Sequence, residues 1–232
     1  MSVRKEKRVF YAEMAYILGL AAIALGTAFM AKADFGVSMI VAPAYLVHLK
    51  ISQTWSFVTF GVAEYMLQFL LLVLLTVVVR RFRISYLFSV VTALLYGLEL
   101  DVFVVMLSEI DARGMITRLV FYVVGLLTCT AGVSLMFHTY ISPESYELFV
   151  KEVADRFDFS LTKVKTIYDC ASCLVAILLS FAFFGFGSFK GINGGTVASA
   201  LVNGWLIGRF TVLFERYWTF RDGLALRKYF EK

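Results

Sequence analysis

Six long apolar segments separated by polar connections dominate the hydropathy pattern of the chain. Each approaches the length of about 20 residues that an α-helix needs to cross a bilayer. The uninterrupted runs argue against a transmembrane β-barrel, in which apolar and polar residues alternate. The pattern therefore predicts an all-α membrane protein, a single transmembrane domain over 1–232 with a six-transmembrane-helix bundle. The predicted helices are roughly 9–30, 57–79, 84–107, 119–137, 164–184 and 196–214.

The stretch 24–46 begins as a membrane helix and then breaks. Lys32 and Asp34 interrupt the apolar run, Gly36 bends the backbone, and Ser38 is positioned to cap a new turn. Interrupted backbone at membrane depth occurs where protein buries it or where it lines a wet cavity, and in transporters it marks the binding site. We therefore predict a half-helix beginning near Ser38. Lys32 and Asp34 are expected to form a local ion pair, with a role as gate or ligand residues as the alternative.

A second interruption follows the fourth predicted helix. The connection there contains an amphipathic stretch from Pro143 to Phe157, and we expect Ser142 to cap it, because proline is favoured in the first turn of a helix. Helix N-termini attract anions, but Glu144 argues against a simple anion site. The pattern favours a pocket of zwitterionic character.

The two halves of the chain share a weak internal repeat. Residues 89–103 align with 196–210 at an offset of 107, and Gly26 meets Gly132 at an offset of 106. Each half, about 9–107 and 119–214, holds three predicted spans, so the second copy must insert upside down. This is the inverted-repeat plan of many secondary transporters, here with a broken or re-entrant half-helix in each repeat. The aligned positions are Ser89, Val90, Thr92, Ala93, Leu94, Gly97 and Phe103 with Thr196, Val197, Ser199, Ala200, Leu201, Gly204 and Phe210.

Ionisable residues inside spans are energetically expensive and suggest a function. Glu64 and Asp169 fall on equivalent faces of the aligned halves, where they could bind a cation, a proton or an amine. The alternative is that each is a buried acid paired with a lysine or a backbone group. Glu99 and Asp101 point to nearly opposite sides of one helix. We favour Glu99 for the interior and expect Asp101 to be solvated.

The candidate site residues form two groups. The predicted substrate-binding residues are Glu64, Glu99, Asp169, Ser38, Ser142, Tyr96 and Asn203. The predicted hinge or break residues are Gly36, Gly97, Pro143, Gly194, Gly195 and Gly204.

The other motifs favour neither a cofactor nor a metal. Cys170 and Cys173 form a CxxC inside a predicted span, where small-residue packing is the simpler interpretation, and His48 and His138 are isolated. The glycine-rich stretch 191–196 lacks a P-loop lysine and a preceding strand, which argues against nucleotide binding. Without a nucleophile–base pair or a metal constellation, we expect no enzyme.

Charge predicts the orientation. The net charge of +5 comes from Lys and Arg at helix ends, a pattern typical of cytoplasmic loops and not of nucleic-acid binding. The positive-inside rule predicts both termini in the cytoplasm, with Lys190 outside. Only 17% of residues are charged, against about 25% in soluble domains, so the excess apolar surface must face lipid.

The stretch GTAFMAKADFGVS, 26–38, resembles the first-repeat signature of the YitT/YczE-type bacterial integral membrane proteins. The segments PESYELFVKEVADRF, KVKTIYDCASCLVAILLSF and GINGGTVASALVNGWLIG are similar to that family's second repeat. The resemblance covers nearly the whole chain. It implies a bacterial cytoplasmic membrane location and a six-helix core, and it does not specify a substrate.

These observations favour a secondary transporter or permease for a small polar or amine-bearing solute. Coupling to a proton or cation through Glu64, Asp169 or Glu99 is part of this hypothesis. The alternative is a membrane substrate-binding or regulatory subunit that transports nothing by itself. The expected partners are the lipid bilayer, a small-molecule solute and a second copy of the chain, with no nucleic acid.

Overall fold

A computed structural model describes residues 8–83, 85–112, 114–186, 192–224 and 227. Within these ranges the chain forms eight helices and two short strands. The basic residues at 4–7, Arg113 and Lys190 contribute to the charge pattern of the sequence but lie outside the described residues. The elements are β1 Arg8–Tyr11, α1 Ala12–Ala33, α2 Ala42–Ile51, α3 Phe60–Val79, α4 Ser85–Ser108, α5 Met115–Met136, α6 Ser145–Phe157, α7 Leu161–Phe184, α8 Gly194–Tyr217 and β2 Trp218–Arg221.

Six of these helices, α1, α3, α4, α5, α7 and α8, are long and apolar enough to cross a membrane. The chain is therefore a multi-pass membrane protein with an almost entirely helical fold. The observed bounds lie within a few residues of the predicted ones, because long apolar runs mark spanning helices directly. The two short strands were not predicted.

The centre of the bundle is a close antiparallel contact between α1 and α5. Gly19 faces Gly132, and Gly26 faces Gly125. A Cβ added at Gly26 would lie 2.5 Å from the backbone nitrogen of Cys129, and one added at Gly132 would lie 2.6 Å from the carbonyl oxygen of Gly19. Small residues let helix backbones approach in this way, and they stabilise the contact through dense packing.

The other helices pack around this pair. α4 packs against α1 and α3, and α8 packs against α5. The half-helix α2 contacts α7 and α3, while the half-helix α6 contacts α3, α7 and α4. α7 and α8 make very few contacts with each other among the described residues.

The half-helix α6 starts deep in the bundle. The Ser145 backbone N–H donates to Gln68 Oε1 in the first half of α3 at 3.2 Å, and Glu152 pairs with Arg83 just beyond the end of α3 at 2.8 Å. α6 therefore runs parallel to α3. Its N-cap residue is Glu144, so the predicted capping role of Ser142 is wrong. The chain needs two more residues to turn into the helix after Pro143.

The half-helix α2 also starts later than predicted. It begins at Ala42 with Val41 as its N-cap residue and Pro43 in its first turn. The Ser38 carbonyl oxygen accepts from the N–H groups of Val41 and Ala42 at 3.0 and 2.9 Å. Ser38 thus supports the entry to α2 through its backbone, and the expected side-chain cap at this position is wrong.

The two ends of the described chain meet in a small parallel sheet, in which Arg8 to Tyr11 pair with Trp218 to Arg221. The Glu13 carboxylate joins them to the loop after α5, since it accepts from Tyr140 Oη at 2.5 Å and from the Leu224 N–H at 2.8 Å. The start of α1 and the end of α8 consequently lie at one end of the bundle, called here the sheet end. The first helix, predicted from about Val9, begins three residues later at Ala12, because residues 8–11 pair as β1.

The glycine contact between α1 and α5 generates a stability prediction. Gly26→Ala should lower the free energy of unfolding by about 1–3 kcal/mol, because the added methyl group overlaps backbone atoms that cannot move aside. Thermal unfolding of the detergent-purified protein measures this loss. Gly204→Ala is the matched control, since no described atom lies within 4 Å of a Cβ at that position. An equal loss in both variants would contradict the assigned contact.

Candidate functional site

The first break, residues 34–41, is held by the opposite half of the chain. The Phe35 carbonyl oxygen accepts from the Gly195 N–H at 2.9 Å, and the Val37 carbonyl oxygen accepts from Thr196 Oγ1 at 2.8 Å. Gly36 has a φ of 98° and lies against Thr196, so both its conformation and its surroundings require a glycine. The break is thus a rigid, hydrogen-bonded segment.

An open recess of about 640 Å³ lies beside the first break, at the end of the bundle called here the vestibule end. Arg118 donates to the carbonyl oxygens of Ala33 and Asp34 and pairs with the Asp34 carboxylate at 3.1 Å. Lys32 donates instead to the Ser108 carbonyl oxygen at 3.1 Å. The predicted ion pair between Lys32 and Asp34 is therefore wrong, because the start of α5 brings a closer cation to Asp34.

The second break, residues 137–144, is held in the corresponding way. Ser89 Oγ donates to the Pro143 carbonyl oxygen at 2.9 Å, and Thr92 Oγ1 donates to the Ser142 carbonyl oxygen at 3.1 Å. Ser89 is the residue that the sequence repeat aligns with Thr196. Each of these aligned hydroxyl groups therefore binds a break carbonyl of the other half.

Buried polar groups meet where the N-terminus of α6 reaches α3. This central cluster consists of Glu64, Gln68, Glu144, Ser145 and Tyr146. Glu64 is fully buried and accepts a hydrogen bond from Tyr146 Oη through Oε2. Four buried atoms have no hydrogen-bond partner of good geometry: Glu64 Oε1, Gln68 Nε2, Glu144 Oε1 and Ser145 Oγ. Buried polar groups are nearly always hydrogen-bonded, so this concentration points to a site for a ligand or a proton.

The central cluster carries more negative than positive charge. Among the described residues, no Lys, Arg or His side chain forms an ion pair with Glu64 or Glu144. Burial, together with the nearby carboxylates of Glu147 and Glu64, raises the pKa of the Glu144 carboxyl well above its usual value. The N-terminus of α6 supplies the equivalent of about half a positive charge, which offsets only part of two ionised carboxylates.

Tyr96 lies beside this cluster on α4. It is fully buried, and its hydroxyl group donates to Thr27 Oγ1 at 3.1 Å. Tyr96 is close enough to both Glu64 and Glu144 to interact with them electrostatically. Of the predicted substrate-binding residues, Tyr96 and Glu64 are thus brought together.

Asp169 occupies a different position from Glu64. It lies on α7, where Lys165 is 3.9 Å away, and its charge acts on Glu147 of α6. Its side chain is 28% exposed, whereas Glu64 is fully buried. Asp169 therefore lies at the edge of the acidic region, on the side of the half-helix away from α3.

Two other predicted binding residues lie outside the central cluster. Glu99 and Asn203 each carry a buried oxygen without a partner, on α4 and α8 respectively. Asp101, expected to be solvated, instead caps α3: it accepts from Thr59 Oγ1 at 2.5 Å and from the Gly61 N–H at 2.7 Å. That expectation is wrong because the start of α3 provides donors that only the folded chain brings to Asp101.

The predicted hinge glycines have different surroundings. Gly97 packs directly against Gly61, where α4 crosses α3. Gly195 is held between the Phe35 carbonyl oxygen and the Tyr122 hydroxyl group. Gly194 and Gly204 have open space at the Cβ position among the described atoms. Only the last two could admit a larger side chain without a clash.

Sequence reasoning missed Gln68, Glu144 and Tyr146 as members of the site. The stretch 143–157 is predicted as a half-helix, but only Ser142 and Pro143 beside it are named as candidate site residues. A usable signal was present, since the first turns of the helix carry the apolar residues Tyr146, Leu148 and Val150, all of which are buried. No three His, Cys, Asp or Glu side chains are grouped as metal ligands in the part of the chain described.

Most of the chain matches one known protein family. Residues 10–212 match the model of a family described as "Family of unknown function (DUF6198)". The chain belongs to this family. No curated protein and no solved structure matches it.

The hydrogen bond from Tyr146 to Glu64 generates a prediction for the site. Tyr146→Phe should lower the free energy of unfolding by about 1–3 kcal/mol, because it leaves a buried carboxyl group without its donor. Tyr65→Phe is the control on the same stretch of α3, since no hydrogen bond of the Tyr65 hydroxyl is found among the described residues. Thermal unfolding of both variants measures the difference, and similar melting temperatures would refute the assignment.

Proposed function

We propose that the protein is a secondary transporter or permease for a small polar or amine-bearing solute. The observation that carries this proposal is Glu64, a fully buried carboxyl group in a membrane-spanning helix, bound by Tyr146 of a half-helix. Ionisable groups at such positions mark substrate paths, ion paths and proton relays. Burying an ionisable group costs free energy, and a helix bundle with only a structural role does not require one.

We also propose that the two halves are inverted repeats. Three features support this. The contact of Gly19 with Gly132 corresponds to that of Gly125 with Gly26 under exchange of the halves. The hydroxyl groups of the aligned residues at the starts of α4 and α8 bind equivalent break carbonyls. The half-helix α6 packs on α3 as α2 packs on α7.

The halves differ in one respect that suits a transporter. α3 and α4 are closely packed, whereas α7 and α8 stand apart. If the halves can exchange these arrangements, the protein has two states that open toward opposite sides of the membrane. This is the alternating access by which inverted repeats operate in secondary transporters.

The orientation proposal retains both termini in the cytoplasm of a bacterial cell. Arg80, Arg81 and Arg83 follow α3 at the sheet end, and excess Lys and Arg mark cytoplasmic loops. The vestibule end then faces outward. Kinship with the YitT/YczE-type proteins remains a prediction from the sequence segments quoted above.

A second candidate function is a membrane binding or regulatory subunit without transport activity. It is favoured by the surface of α7 and α8, which are much less buried than the other four spanning helices. Leu201 and Trp205 on α8 are 79% and 61% exposed, and they offer a broad face to lipid, to another protein or to a second copy.

Transport is tested with purified protein in liposomes. Uptake of labelled amines, amino acids and other small polar solutes from a screening panel should exceed that of protein-free liposomes, and Glu64→Gln should reduce the uptake at least tenfold by removing the charge. Asp158→Asn is the control, because Asp158 is exposed, lies in the left-handed region, and Asn tolerates that conformation. A properly inserted protein that moves no member of the panel would favour the binding-subunit alternative.

The orientation is tested by cysteine labelling in a variant without native cysteines. Lys151→Cys at the sheet end should react with a membrane-impermeant maleimide only after the cells are opened, and Lys50→Cys should react in intact spheroplasts. Both positions are exposed. Labelling of residue 151 in intact spheroplasts would reverse the orientation.

A further inference from the structure

Two carboxyl groups from different elements belong to the central cluster, because Tyr146 donates to Glu64 and the Ser145 N–H donates to Gln68 one turn further along α3. Glu64 lies on α3 and Glu144 immediately precedes α6, and their residues are 0% and 6% exposed. The Oε1 atom of each is buried and forms no hydrogen bond of good geometry, although Gln68 lies close enough to Glu64 to interact with its carboxyl group. Ser145 Oγ, in a fully buried residue next to Glu144, is also unpartnered and is a ligand atom that an acidic cluster alone would not supply.

The charge around Glu64 and Glu144 determines whether they can bind a proton or a cation. The α6 N-terminus offsets about half a charge, so two ionised carboxylates would leave more than one negative charge uncompensated in a dry interior. Neighbouring buried carboxyl groups in this situation retain a proton. The titratable groups that act on one or both of them are Tyr16 on α1, Tyr96 on α4, Cys129 on α5, Tyr146 and Glu147 on α6, and Tyr168 on α7. Lys165 and Asp169 on α7 act on Glu147.

We propose that Glu64 and Glu144 form a proton–cation exchange site for a single positive charge. In the described state the pair holds one proton. When an alkali ion or the ammonium group of an organic amine binds to the two carboxylates, that proton leaves to water, so the charge of the site is unchanged. The hydroxyl of Ser145 is an additional ligand, and the tyrosine rings favour an ammonium group through cation–π attraction.

The corresponding contact in the other half has a different composition. Where α2 packs on α7, the buried hydrophobic residues include Ala42, Leu46 and Ala176, together with Val37 of the preceding break. An apolar contact of this kind cannot hold a cation. The chain therefore has one exchange site of this type among its described residues, although its backbone plan is duplicated.

This inference rests on the proposed function for the biological role of the site, but not for its chemistry. Binding and proton release occur in a purified protein whether or not it transports anything. A protein that releases protons but shows no flux would retain the exchange site and lose the transporter assignment. A protein that transports a solute without releasing protons would retain the transporter assignment and lose the exchange site.

The experiment adds sodium, potassium or methylammonium chloride to detergent-purified protein in a weakly buffered solution that contains a pH indicator. We expect one proton released per bound cation, and an apparent affinity that rises about tenfold per pH unit below the pKa of the pair. Glu64→Gln and Glu144→Gln should each abolish the release, while Asp158→Asn should leave it unchanged. A response to alkali ions identifies an inorganic ion as the ligand, and a response to methylammonium alone identifies an amine.

Folding of the variants is checked by gel filtration and by thermal unfolding. If a glutamine variant does not fold, infrared difference spectroscopy of the wild-type protein decides the question. A protonated-carboxyl band should disappear on addition of the cation. Cation binding without loss of this band, or no binding by any of the three cations, would overturn the proposal.

Discussion

The close antiparallel contact of α1 with α5 is the constraint on which the rest of the structure depends. Gly19 and Gly26 meet Gly132 and Gly125 with backbone against backbone, and no side chain larger than hydrogen fits between them. In a membrane this contact gains nothing from the hydrophobic effect, because lipid is as apolar as the helices, so dense packing must stabilise it. The two breaks follow directly from these helices, so the contact also sets where each half-helix enters the bundle.

The two breaks in the helices place polar backbone groups inside the bundle. Backbone that leaves the helical ladder inside a membrane must find other hydrogen-bond partners. Ser89 and Thr196 supply them, each at the start of a spanning helix and each binding a carbonyl oxygen of the opposite half. The bond from Ser89 fixes the chain after α5 so that α6 begins beside Gln68 inside the bundle.

The two halves share one arrangement of helices, but the contacts of their half-helices, α6 with α3 and α2 with α7, differ in composition. Around α6 the interior is acidic and incompletely hydrogen-bonded, while around α2 it is apolar and well packed. The buried hydrophobic residues of the apolar contact carry no charge, whereas the electrostatics of the acidic one would change if a proton or cation entered or left. A similar division separates the tight pair of α3 and α4, joined at Gly61 and Gly97, from the separated pair of α7 and α8. In a transporter these differences would define which half moves.

Hydropathy alone determined the spanning helices, and the interruption at Gly36 was visible because apolar character fails there over a short distance. These are local properties, read from neighbouring residues. The sequence also identified Glu64, since a carboxyl group in a spanning run is costly wherever it points. Only the tertiary structure decided the partners of these residues. Glu144 joined the site because α6 folds back into the bundle, and Asp34 paired with Arg118 across 84 positions of the chain. The contact of one helix with another depends on how closely their backbones approach in three dimensions. The periodicity of neighbouring residues does not predict that approach.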